Sequence, residues 1–481
     1  MAKRAIKEVW SLRISPKMME ELEAHLFPGD NDEHGAVIAA QVVRSRRGNM
    51  LLAMKLFVAK DDVDYVAGDI GYRKLTSDFV HRSVDYCASH RLAYLAIHCH
   101  GGNDEVEFSN TDLLSQKQGY PALLDILDGP PVVGLVFAEK AAAGVVWLPD
   151  RSTYRLSYVR IPEKPQRVLY AKQASSPLAR AIYDRQSLIF GNVGQELLSS
   201  QKVGIIGAGG VGSLLVEYLA RLGVGHLVVI DPERAAPSNT PRLVGSLRRD
   251  VVWLKNDALM YYFPKIFFTK KIKIAKRVAK KANPSIKFTA MADSIVEPRA
   301  AQALKDCDFI FLAADSEQAK HVFSALVSQY LVAGTQVASK VSTNSETGKV
   351  NDIYSVIRTF YPGSGCLWCN GLINSARLNN EAKSENERIR QRYVNDEEVH
   401  APSVITLNAV AASHAVDQYL FSTIGMSKND DEHPAVFFHP LESAPSHRAR
   451  FEEMTRDAKC PECKKRLSQG DSVRLPTKWE E

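Results

Sequence analysis

The chain has 481 residues, 45% of them hydrophobic and 24% charged, with a net charge of +6. That length exceeds what one hydrophobic core supports, so two or three globular domains are expected. The sequence shows no apolar run long enough to span a membrane and no signal peptide after MAKRAIKEVWSLRI, so we expect a soluble, cytoplasmic protein without a membrane partner. The positive charge comes partly from KKIKIAKRVAKK at 270–281, which favours an acidic partner or a phosphate over nucleic acid.

Residues 1–160 alternate short apolar runs with helical stretches, which predicts a mixed α/β domain. The predicted strands are AVIAAQVV, LLAMKLFVA, LAYLAIHCH, VVGLVFAE and GVVWL, and the predicted helices are PKMMEELEAHLF and SDFVHRSVDYCASHR. Residues 161–178 lack clear periodicity and are expected to form a linker.

A second domain is expected over 179–481, and within it residues 179–340 alternate strand and helix as in a doubly wound sheet. The predicted elements are KVGIIG, a helix at 211–222, HLVVID, a helix at 271–282, KFTAM and DFIFLAA. The polar segment 379–398 predicts a loop, and 403–421 predicts a buried helix.

The stretch IHCHGGNDEVEFSNTDL, residues 97–113, carries candidate metal ligands at the end of a predicted strand. His98 and His100 are two residues apart and therefore point to the same face. With Asp112 they would supply three zinc ligands and leave a fourth position for a water that zinc activates. Glu33, just before a predicted strand, is a candidate base, and Ser109 a candidate donor to the oxyanion. The alternative is that these are loop histidines beside a surface aspartate.

Taken together, Glu33, the His-x-His pair and the Ser-x-x-Asp pair resemble the JAB/MPN metalloproteases, which remove ubiquitin-like proteins or trim their C-termini. Two departures stand out: Gly101 replaces the usual proline, and the spacing from His100 to Ser109 is one residue longer than usual. The resemblance implies that residues 1–160 form a metalloprotease domain with a catalytic Zn²⁺.

A glycine-rich loop in KVGIIGAGGVGS suggests a nucleotide site. Gly207, Gly209 and Gly212 form a G-x-G-x-x-G pattern, with Gly210 inside it, between a predicted strand and a predicted helix. Such glycines let the backbone approach phosphates at a helix N-terminus. Asp231, at the end of the next strand, would hold a ribose hydroxyl. This pattern alone would also fit a dehydrogenase.

Three longer segments favour another family: YDRQSLIFGNVGQELLSSQKVGIIGAGGVGS at 183–213, DPERAAPSNTPRL at 231–243 and DFIFLAADS at 308–316. They resemble the ThiF/MoeB-type adenylyltransferases, which include ubiquitin-activating enzymes, and the resemblance spans roughly 180–465. It implies ATP and Mg²⁺ as cofactors and a ubiquitin-like protein as the substrate whose C-terminal carboxylate is adenylated.

The same resemblance implies roles for individual residues. Asp231 would bind the ribose, and Asp315 would hold Mg²⁺. Asn239, Arg242 and a lysine would contact the phosphates. Arg185 would reach the nucleotide site of the partner subunit in a homodimer. Lysine, arginine and Mg²⁺ are needed because a carboxylate attacking a phosphate must overcome the repulsion between two anions.

The lysine is expected to be Lys271, twelve residues before Asn283, as in the family's K…NP spacing. The segment WLKNDALMYYFPKIFF at 253–268 makes this part of the chain longer than usual, so Lys270 and Lys273 are alternatives. A solvated lysine face without a role in binding is the remaining interpretation.

Four of the seven cysteines form two Cys-x-x-Cys pairs, which predict a structural tetrahedral Zn²⁺ site at Cys366, Cys369, Cys460 and Cys463. Residues 370–459 contain no cysteine, and Val394 or its neighbours lie where related enzymes carry an acceptor cysteine. The chain could therefore stop at the adenylate, or form an oxyester on Ser403 or Thr406. Cys307 is expected to be a packed small hydrophobic residue.

The two halves together resemble bacterial fusions of a JAB-type protease with a ThiF-like adenylyltransferase, which act beside a ubiquitin-like protein and a conjugating enzyme. We therefore expect one chain that activates a ubiquitin-like C-terminus and also cleaves after it. The alternatives are sulfur-carrier activation for cofactor biosynthesis and a binding scaffold with an inactive protease half.

Overall fold

The structure is a computed structural model that describes residues 9–30, 32–66, 73–172, 181–251, 265–343, 349–383, 402–426, 435–442 and 449–478. The chain divides into two compact units. The first comprises Met1–Ser175, Gln329–Leu331 and Lys465–Val473, and the second Ser176–Ser328, Val332–Lys464 and Arg474–Glu481. None of the helices in these described ranges is long and apolar enough to cross a membrane.

The first unit contains a sheet of eight strands. They are β1 (Trp10–Arg13), β2 (Gly35–Arg44), β3 (Asn49–Val58), β4 (Ala93–Cys99), β5 (Val132–Phe137), β6 (Ala142–Trp147), β7 (Thr153–Ile161) and β8 (Arg167–Leu169). The strand order is β1-β3-β2-β4-β5-β6-β7-β8, and β1 also pairs with β7, so seven of the strands form a closed ring. Wholly buried residues of β1, β2, β4, β5 and β7 form its core, among them Leu12, Ile38, Leu95, Leu135 and Val159.

The described part of this unit also contains α1 (Pro16–Leu26), α2 (Ser77–His90) and α3 (Asn110–Leu127). The five predicted strands and both predicted helices of this region are confirmed. The expectation of a linker over 161–178 is wrong for Arg167–Leu169, which pair with the end of β7, because three residues are too short to show periodicity. Residues 173–178 of that segment lie outside the described residues. The domain boundaries stay a prediction.

A short segment from far along the chain completes the first unit. Lys465–Val473 belongs to it, and a Cβ on Gly470 would lie 2.5 Å from Cγ2 of Val43 and 3.1 Å from Cγ of Gln41. The backbone at Gly470 therefore rests directly on β2. Its carbonyl oxygen accepts a hydrogen bond of 2.6 Å from Nε2 of Gln329, in the other short segment of this unit.

The second unit contains a sheet in the order β11-β10-β9-β12-β13-β14-β15-β16. Its strands are β9 (Lys202–Ile206), β10 (His226–Ile230), β11 (Lys287–Met291), β12 (Phe309–Leu312), β13 (Ala333–Thr343), β14 (Val350–Phe360), β15 (Ala435–Phe438) and β16 (Ala449–Glu452). The pairs from β11 to β13 are parallel, and those from β13 to β16 are antiparallel. The predicted α/β class and doubly wound, Rossmann-like arrangement are confirmed.

The helices of this unit are α4 (Asp184–Ser200), α5 (Gly210–Arg221), α6 (Lys271–Ala282), α7 (Pro298–Gln302), α8 (Glu317–Gln329), α9 (Ser375–Ala382), α10 (Ile405–Thr423) and α11 (Pro461–Arg466). Helices α5 and α10 pack on the sheet, where the Tyr419 ring lies 4.9 Å from the ring of Phe309 and 5.7 Å from that of Phe311. Of the predicted loop 379–398, the start belongs to α9. Residues 384–398, which include Val394, lie outside the described residues, as do 253–264 of the long segment before α6.

Candidate nucleotide and metal sites

The glycine loop joins β9 to α5 and leaves space where phosphates are expected. Gly207 has a φ of +96°, and a Cβ there would lie 2.9 Å from the carbonyl oxygen of Ala313 after β12. A Cβ on Gly212 would lie only 1.9 Å from the carbonyl oxygen of Gly207. A Cβ on Gly209 would meet no atom within 4 Å, and no described side chain caps the N-terminus of α5. The loop is therefore closely packed at Gly207 and Gly212 and open at Gly209, and the open space at the N-terminus of α5 fits a bound phosphate.

Asp231 is fixed beside this loop. Its side chain is 5% exposed, and its two carboxylate oxygens accept hydrogen bonds of 2.7 Å from the backbone N–H groups of Ala208 and Glu233. Burial raises the pKa of Asp231, although the positive charge of Lys271 and these two N–H groups act in the opposite direction. The carboxylate is thus held rigidly at the end of β10, where the sequence predicts a residue that binds a ribose hydroxyl.

Lys271 is the one of the three candidate lysines that is buried. Its ammonium pairs with the Glu233 carboxylate, and its backbone N–H donates to the carbonyl oxygen of Glu233 over 3.0 Å. Lys270 is half-buried and Lys273 exposed. The charge of Lys271 lowers the pKa of Asp231, which places the Lys271 ammonium close to that carboxylate, so Lys271 fits the phosphate-binding role better than its more exposed neighbours.

Arg242 lies at the open end of α5. Its Cδ is 3.8 Å from the position of a Cβ on Gly210, and its backbone N–H donates to the carbonyl oxygen of Asn239 over 3.0 Å. The side-chain oxygen of Asn239 accepts from the backbone N–H of Ala236 over 3.1 Å. Asn239 thereby shapes the turn that presents Arg242 to the glycine loop.

Asn408, on α10, is a residue of this site that the sequence analysis missed. Its side chain is 1% exposed, and its Nδ2 would lie 2.4 Å from a Cβ on Gly210. Its Oδ1 accepts from the Ser339 hydroxyl over 2.5 Å, and its Nδ2 donates to the Ser403 hydroxyl over 3.1 Å. The signal in the sequence was the single amide in the apolar run VITLNAVAA, because a buried amide needs hydrogen-bond partners. Thr406, the other candidate acceptor, is exposed.

Asp315 and Arg185 are both exposed, in keeping with roles toward a ligand or a partner. Asp315 follows β12 by three residues, and Ala313 of the same segment donates its N–H to Ile206 over 2.8 Å, which places Asp315 at the glycine-loop edge of the sheet. Arg185 lies in the first turn of α4. Around it are large apolar side chains that are 59% to 87% exposed: Ile182, Leu188, Ile189 and Val193.

A cavity of about 420 Å³ opens at the carboxyl end of β11. It is lined by Ala292, Asp293, Ser294, Glu297, Pro298 and Arg299. Asp231 donates its backbone N–H to the carbonyl oxygen of Met291 over 3.1 Å, so the cavity adjoins the strand end that carries Asp231.

The four cysteines of the two Cys-x-x-Cys pairs converge in the second unit. Their sulfur atoms lie within 4.8 Å of one another, with 3.6 Å between Cys366 and Cys369, 3.7 Å between Cys366 and Cys460 and 3.6 Å between Cys369 and Cys463. Zn–S bonds of about 2.3 Å in a tetrahedron place sulfur atoms about 3.8 Å apart. The four residues therefore fit a closed structural zinc site. Cys307 is wholly buried, as expected of a packed residue.

In the first unit, the strand register brings the candidate protease residues together. Antiparallel pairing sets Gly35 of β2 opposite His98 of β4, so Glu33, two residues earlier, falls opposite His100. The Nε2 atom of His100 is 3.7 Å from Oε1 of Glu33. Burial raises the pKa of Glu33, while the charges of His100 and His98 lower it.

The distances among His98, His100 and Asp112 fit one small cation. The two Nε2 atoms are 3.2 Å apart, and each lies 3.3–3.4 Å from an oxygen of Asp112. Nitrogen and oxygen ligands about 2.0–2.1 Å from a tetrahedral Zn²⁺ lie about 3.3 Å apart. His100 is also oriented by its Nδ1, which is 3.1 Å from the carbonyl oxygen of Glu107. This agreement supports a zinc site better than the interpretation as unrelated loop histidines.

Ser109 and Asp112 also have a structural task, because they form the capping box of α3. The Ser109 hydroxyl donates to Oδ2 of Asp112 over 2.7 Å, and the Asp112 N–H donates to that hydroxyl over 3.1 Å. Burial would raise the pKa of Asp112, but hydrogen bonds from His98 and Ser109 outweigh it and lower the pKa. The helix cap thus fixes the carboxylate that faces the histidines.

Comparison with known proteins identifies the family of the second unit. Residues 183–464 match the ThiF family. The adenylyltransferase and sulfurtransferase UBA4 of Kluyveromyces lactis is 28% identical over 185 residues, which are 37% of this chain and 38% of that protein. A tRNA threonylcarbamoyladenosine dehydratase of Bacillus subtilis is 35% identical over 77 residues, 16% of this chain and 30% of that protein. The SAMP-activating enzyme E1 of Haloferax volcanii is 44% identical over 61 residues, 13% of this chain and 23% of that protein.

The chain thus spans less than two fifths of the length of each of these relatives. The family match, in contrast, covers more than half of the 481 residues and contains the glycine loop, Asp231, Lys271 and Asp315. The chain therefore belongs to the ThiF family.

Proposed function

We propose that the second unit adenylates the C-terminal carboxylate of a ubiquitin-like protein. The observation that carries this proposal is the meeting of the glycine loop with Asp231, Arg242 and the buried Lys271 at one edge of the sheet. The open face at Gly209 has room for phosphates, and the cavity beyond β11 has room for the nucleotide base. The family membership supports the same reaction.

The reaction joins a carboxylate oxygen to the α-phosphorus of ATP and releases pyrophosphate. Both reacting groups are anionic, so the barrier falls when fixed positive charges face the phosphates. Lys271 and Arg242 supply two such charges, and the N-terminus of α5 adds a partial one. Mg²⁺, held by Asp315, would neutralise the phosphates further. Asp231 would orient the ribose, since its carboxylate is already fixed by two backbone N–H groups.

The step after adenylation distinguishes two versions of this function. With no cysteine between 370 and 459, a thioester in that segment is excluded. The acyl group instead passes from the adenylate to an outside acceptor or to the Ser403 or Thr406 hydroxyl, and AMP leaves as its bond to the acyl carbon breaks. Transfer to a sulfur source would make the chain a sulfur-carrier activator, which the name of the relative UBA4 favours. Transfer through a conjugating enzyme would make it part of a modification system.

We also propose that the second unit works as a homodimer. Arg185 is exposed on α4, and the exposed apolar side chains near it in the chain need cover from water. A second copy of the chain would cover them and would bring Arg185 to the nucleotide of its partner.

For the first unit we propose a zinc-dependent isopeptidase or processing protease of the JAB/MPN type, acting on the same ubiquitin-like protein. His98, His100 and Asp112 would hold the ion, since their ligand atoms have the spacing of a tetrahedral site. Zinc there would polarise the scissile carbonyl and activate a water molecule. Glu33 would accept the proton, because its carboxylate faces His100 and burial makes it a stronger base than a free carboxylate.

The test is to supply the full chain with ATP, Mg²⁺ and a candidate ubiquitin-like protein. Pyrophosphate exchange that requires the ubiquitin-like carrier protein supports adenylation. Exchange that occurs without this protein, or no exchange at all, contradicts it. Cleavage of a carrier–peptide fusion by the zinc-loaded chain, lost with a chelator, supports the protease. A chain that binds the carrier and does neither would be a scaffold.

A further inference from the structure

The side chains behind Glu33 form a second layer of polar contacts that the proposed reaction does not use. His34 is 3% exposed, and its Nε2 lies 3.0 and 3.1 Å from the two carboxylate oxygens of Asp30. Its Nδ1 faces Nη1 of Arg73 at 3.5 Å. Since guanidinium only donates, we assign the tautomer of His34 that donates from Nε2 to Asp30 and accepts at Nδ1.

The backbone of residues 34–35 is held from several sides by the same layer. The His34 N–H donates to the sulfur of Cys99 over 3.2 Å, and Cys99 lies between His98 and His100 in the chain. The Gly35 N–H donates to the Tyr65 hydroxyl over 2.8 Å, and the Gly35 carbonyl oxygen is 2.9 Å from Nε2 of His25.

Arg73, the positively charged residue of this layer, is itself held by two contacts. The Arg73 guanidinium lies 3.8 Å from the centre of the Tyr65 ring and 2.7 Å from a carboxylate oxygen of Asp61. Arg73 therefore connects the imidazole of His34 to the ring whose hydroxyl holds Gly35. The layer forms one connected set of contacts around the two residues that follow Glu33.

Glu33 and His34 are consecutive residues immediately before β2, and their side chains meet different partners. Glu33 faces His100, and His34 faces Asp30 and Arg73. Any rotation of the backbone that turns Glu33 away from His100 must therefore also pull His34 out of its contacts. We propose that the Asp30–His34 pair positions Glu33 for proton transfer. This inference rests on the proposed protease function, and His34 acts through Glu33 without touching the candidate zinc ligands.

Asp30 makes the proposal testable without disturbing the core, because its side chain is 50% exposed while that of His34 is 4% exposed. Asp30→Ala leaves the buried imidazole without its carboxylate partner and should let residues 33–35 move. Misplacement of a reacting group by about 1 Å costs about a hundredfold in rate, and loss of an orienting partner costs about 10- to 100-fold. We expect kcat to fall at least about tenfold with KM within about twofold, since Asp30 does not meet the substrate.

The experiment compares the zinc-loaded full chain with Asp30→Ala, His34→Ala and His34→Gln, using ubiquitin with a C-terminal fluorogenic amide as the probe. His34→Gln keeps a donor for Asp30 and should retain most of kcat, while the double variant Asp30→Ala/His34→Ala should be no worse than His34→Ala. Asp150→Ala is the matched control, since Asp150 is an exposed aspartate of the same unit that accepts hydrogen bonds from the N–H and the hydroxyl of Ser152. Zinc content and Tm should stay at the wild-type values in Asp30→Ala.

A second readout does not depend on activity. Hydrogen exchange of the His34 and Gly35 amides, measured on the metal-free chain, should be faster in Asp30→Ala and unchanged in Asp150→Ala. Wild-type kcat and wild-type exchange in Asp30→Ala would overturn the positioning role, as would a loss of kcat that simply follows loss of zinc. A wild-type chain that does not cleave at all contradicts the protease proposal instead, and the exchange comparison still decides whether Asp30 and His34 hold the segment.

Discussion

Two glycines of the nucleotide loop should respond to the same substitution in different ways. Gly212→Ala places a methyl group 1.9 Å from the carbonyl oxygen of Gly207, and Gly209→Ala places one where no atom lies within 4 Å. The methyl group of the first variant clashes with the protein's own backbone. The methyl group of the second clashes only with a ligand bound at the open face of the loop.

The size of each effect follows from these distances. Close C–H···O contacts have carbon–oxygen distances of about 3.3 Å, so the backbone at Gly207 or Gly212 must move by more than about 1 Å. Overpacking of this kind costs about 1–3 kcal/mol, which lowers the Tm of a unit of this size by about 2–4 °C per kcal/mol. Gly209→Ala should leave the Tm unchanged. Displacing phosphate from even one charge-assisted N–H bond should cost about 1.5–3 kcal/mol, or about tenfold to a hundredfold in ATP affinity.

Calorimetric titration with ATP and Mg²⁺, together with thermal unfolding of the full chain, separates the two cases. Gly119→Ala is the control, because Gly119 lies in α3 of the other unit and a Cβ there meets nothing within 4 Å. If Gly212→Ala kept the wild-type Tm and affinity, the close approach to Gly207 would be refuted. If Gly209→Ala bound ATP like the wild type, phosphate would not lie on the open face.

Four further predictions concern the other sites. Lys271→Ala should reduce carrier-dependent pyrophosphate exchange at least about tenfold, whereas Lys273→Ala should not, because only Lys271 is buried beside Asp231. Arg185→Ala should also reduce exchange, and mixing Lys271→Ala with Arg185→Ala chains should raise exchange above that of either variant alone if Arg185 acts in the partner's site; no such rise would contradict this. Cys463→Ser should release zinc and lower the Tm without removing a covalent carrier adduct, because the thiolates are structural; adduct loss in a folded variant would argue otherwise. Glu33→Gln should slow cleavage of a carrier fusion at least about a hundredfold with zinc retained, and undiminished cleavage would discard Glu33 as the base.

The sequence was most informative where local pattern and tertiary structure agree. The conformation of the strand–glycine loop–helix segment is specified by its local sequence, so β9, α5 and the loop between them were predicted closely. Glu33 was named as a candidate base because it stands just before a predicted strand, and the pairing of that strand with β4 brings it to His100. The ThiF family membership confirms the resemblance of the three longer segments and decides against the dehydrogenase alternative.

The sequence was less informative where a residue acts through distant partners. Asn408 meets Gly210 only because α10 packs on α5, and helical periodicity cannot show which polar residue such packing buries. His34 likewise finds Arg73 and Tyr65 through the tertiary fold. Strand β7, TYRLSYVRI, mixes charged and apolar residues, and α3 contains Pro121. Neither segment therefore shows a clear hydrophobic periodicity in the sequence.

The interleaved course of the chain limits how the two proposed activities can be taken apart. Lys465–Val473 belongs to the first unit although it follows the last cysteine of the second, and the chain then returns to the second unit at Arg474. A protein cut after residue 175 would therefore lack the segment whose Gly470 lies on β2 and would expose Val43 to water. Separating the two units would require that residues 465–473 be rejoined to the first unit. If a chain cut after residue 175 failed to cleave, the missing segment would explain the loss, and the result would not show that the two proposed activities depend on each other.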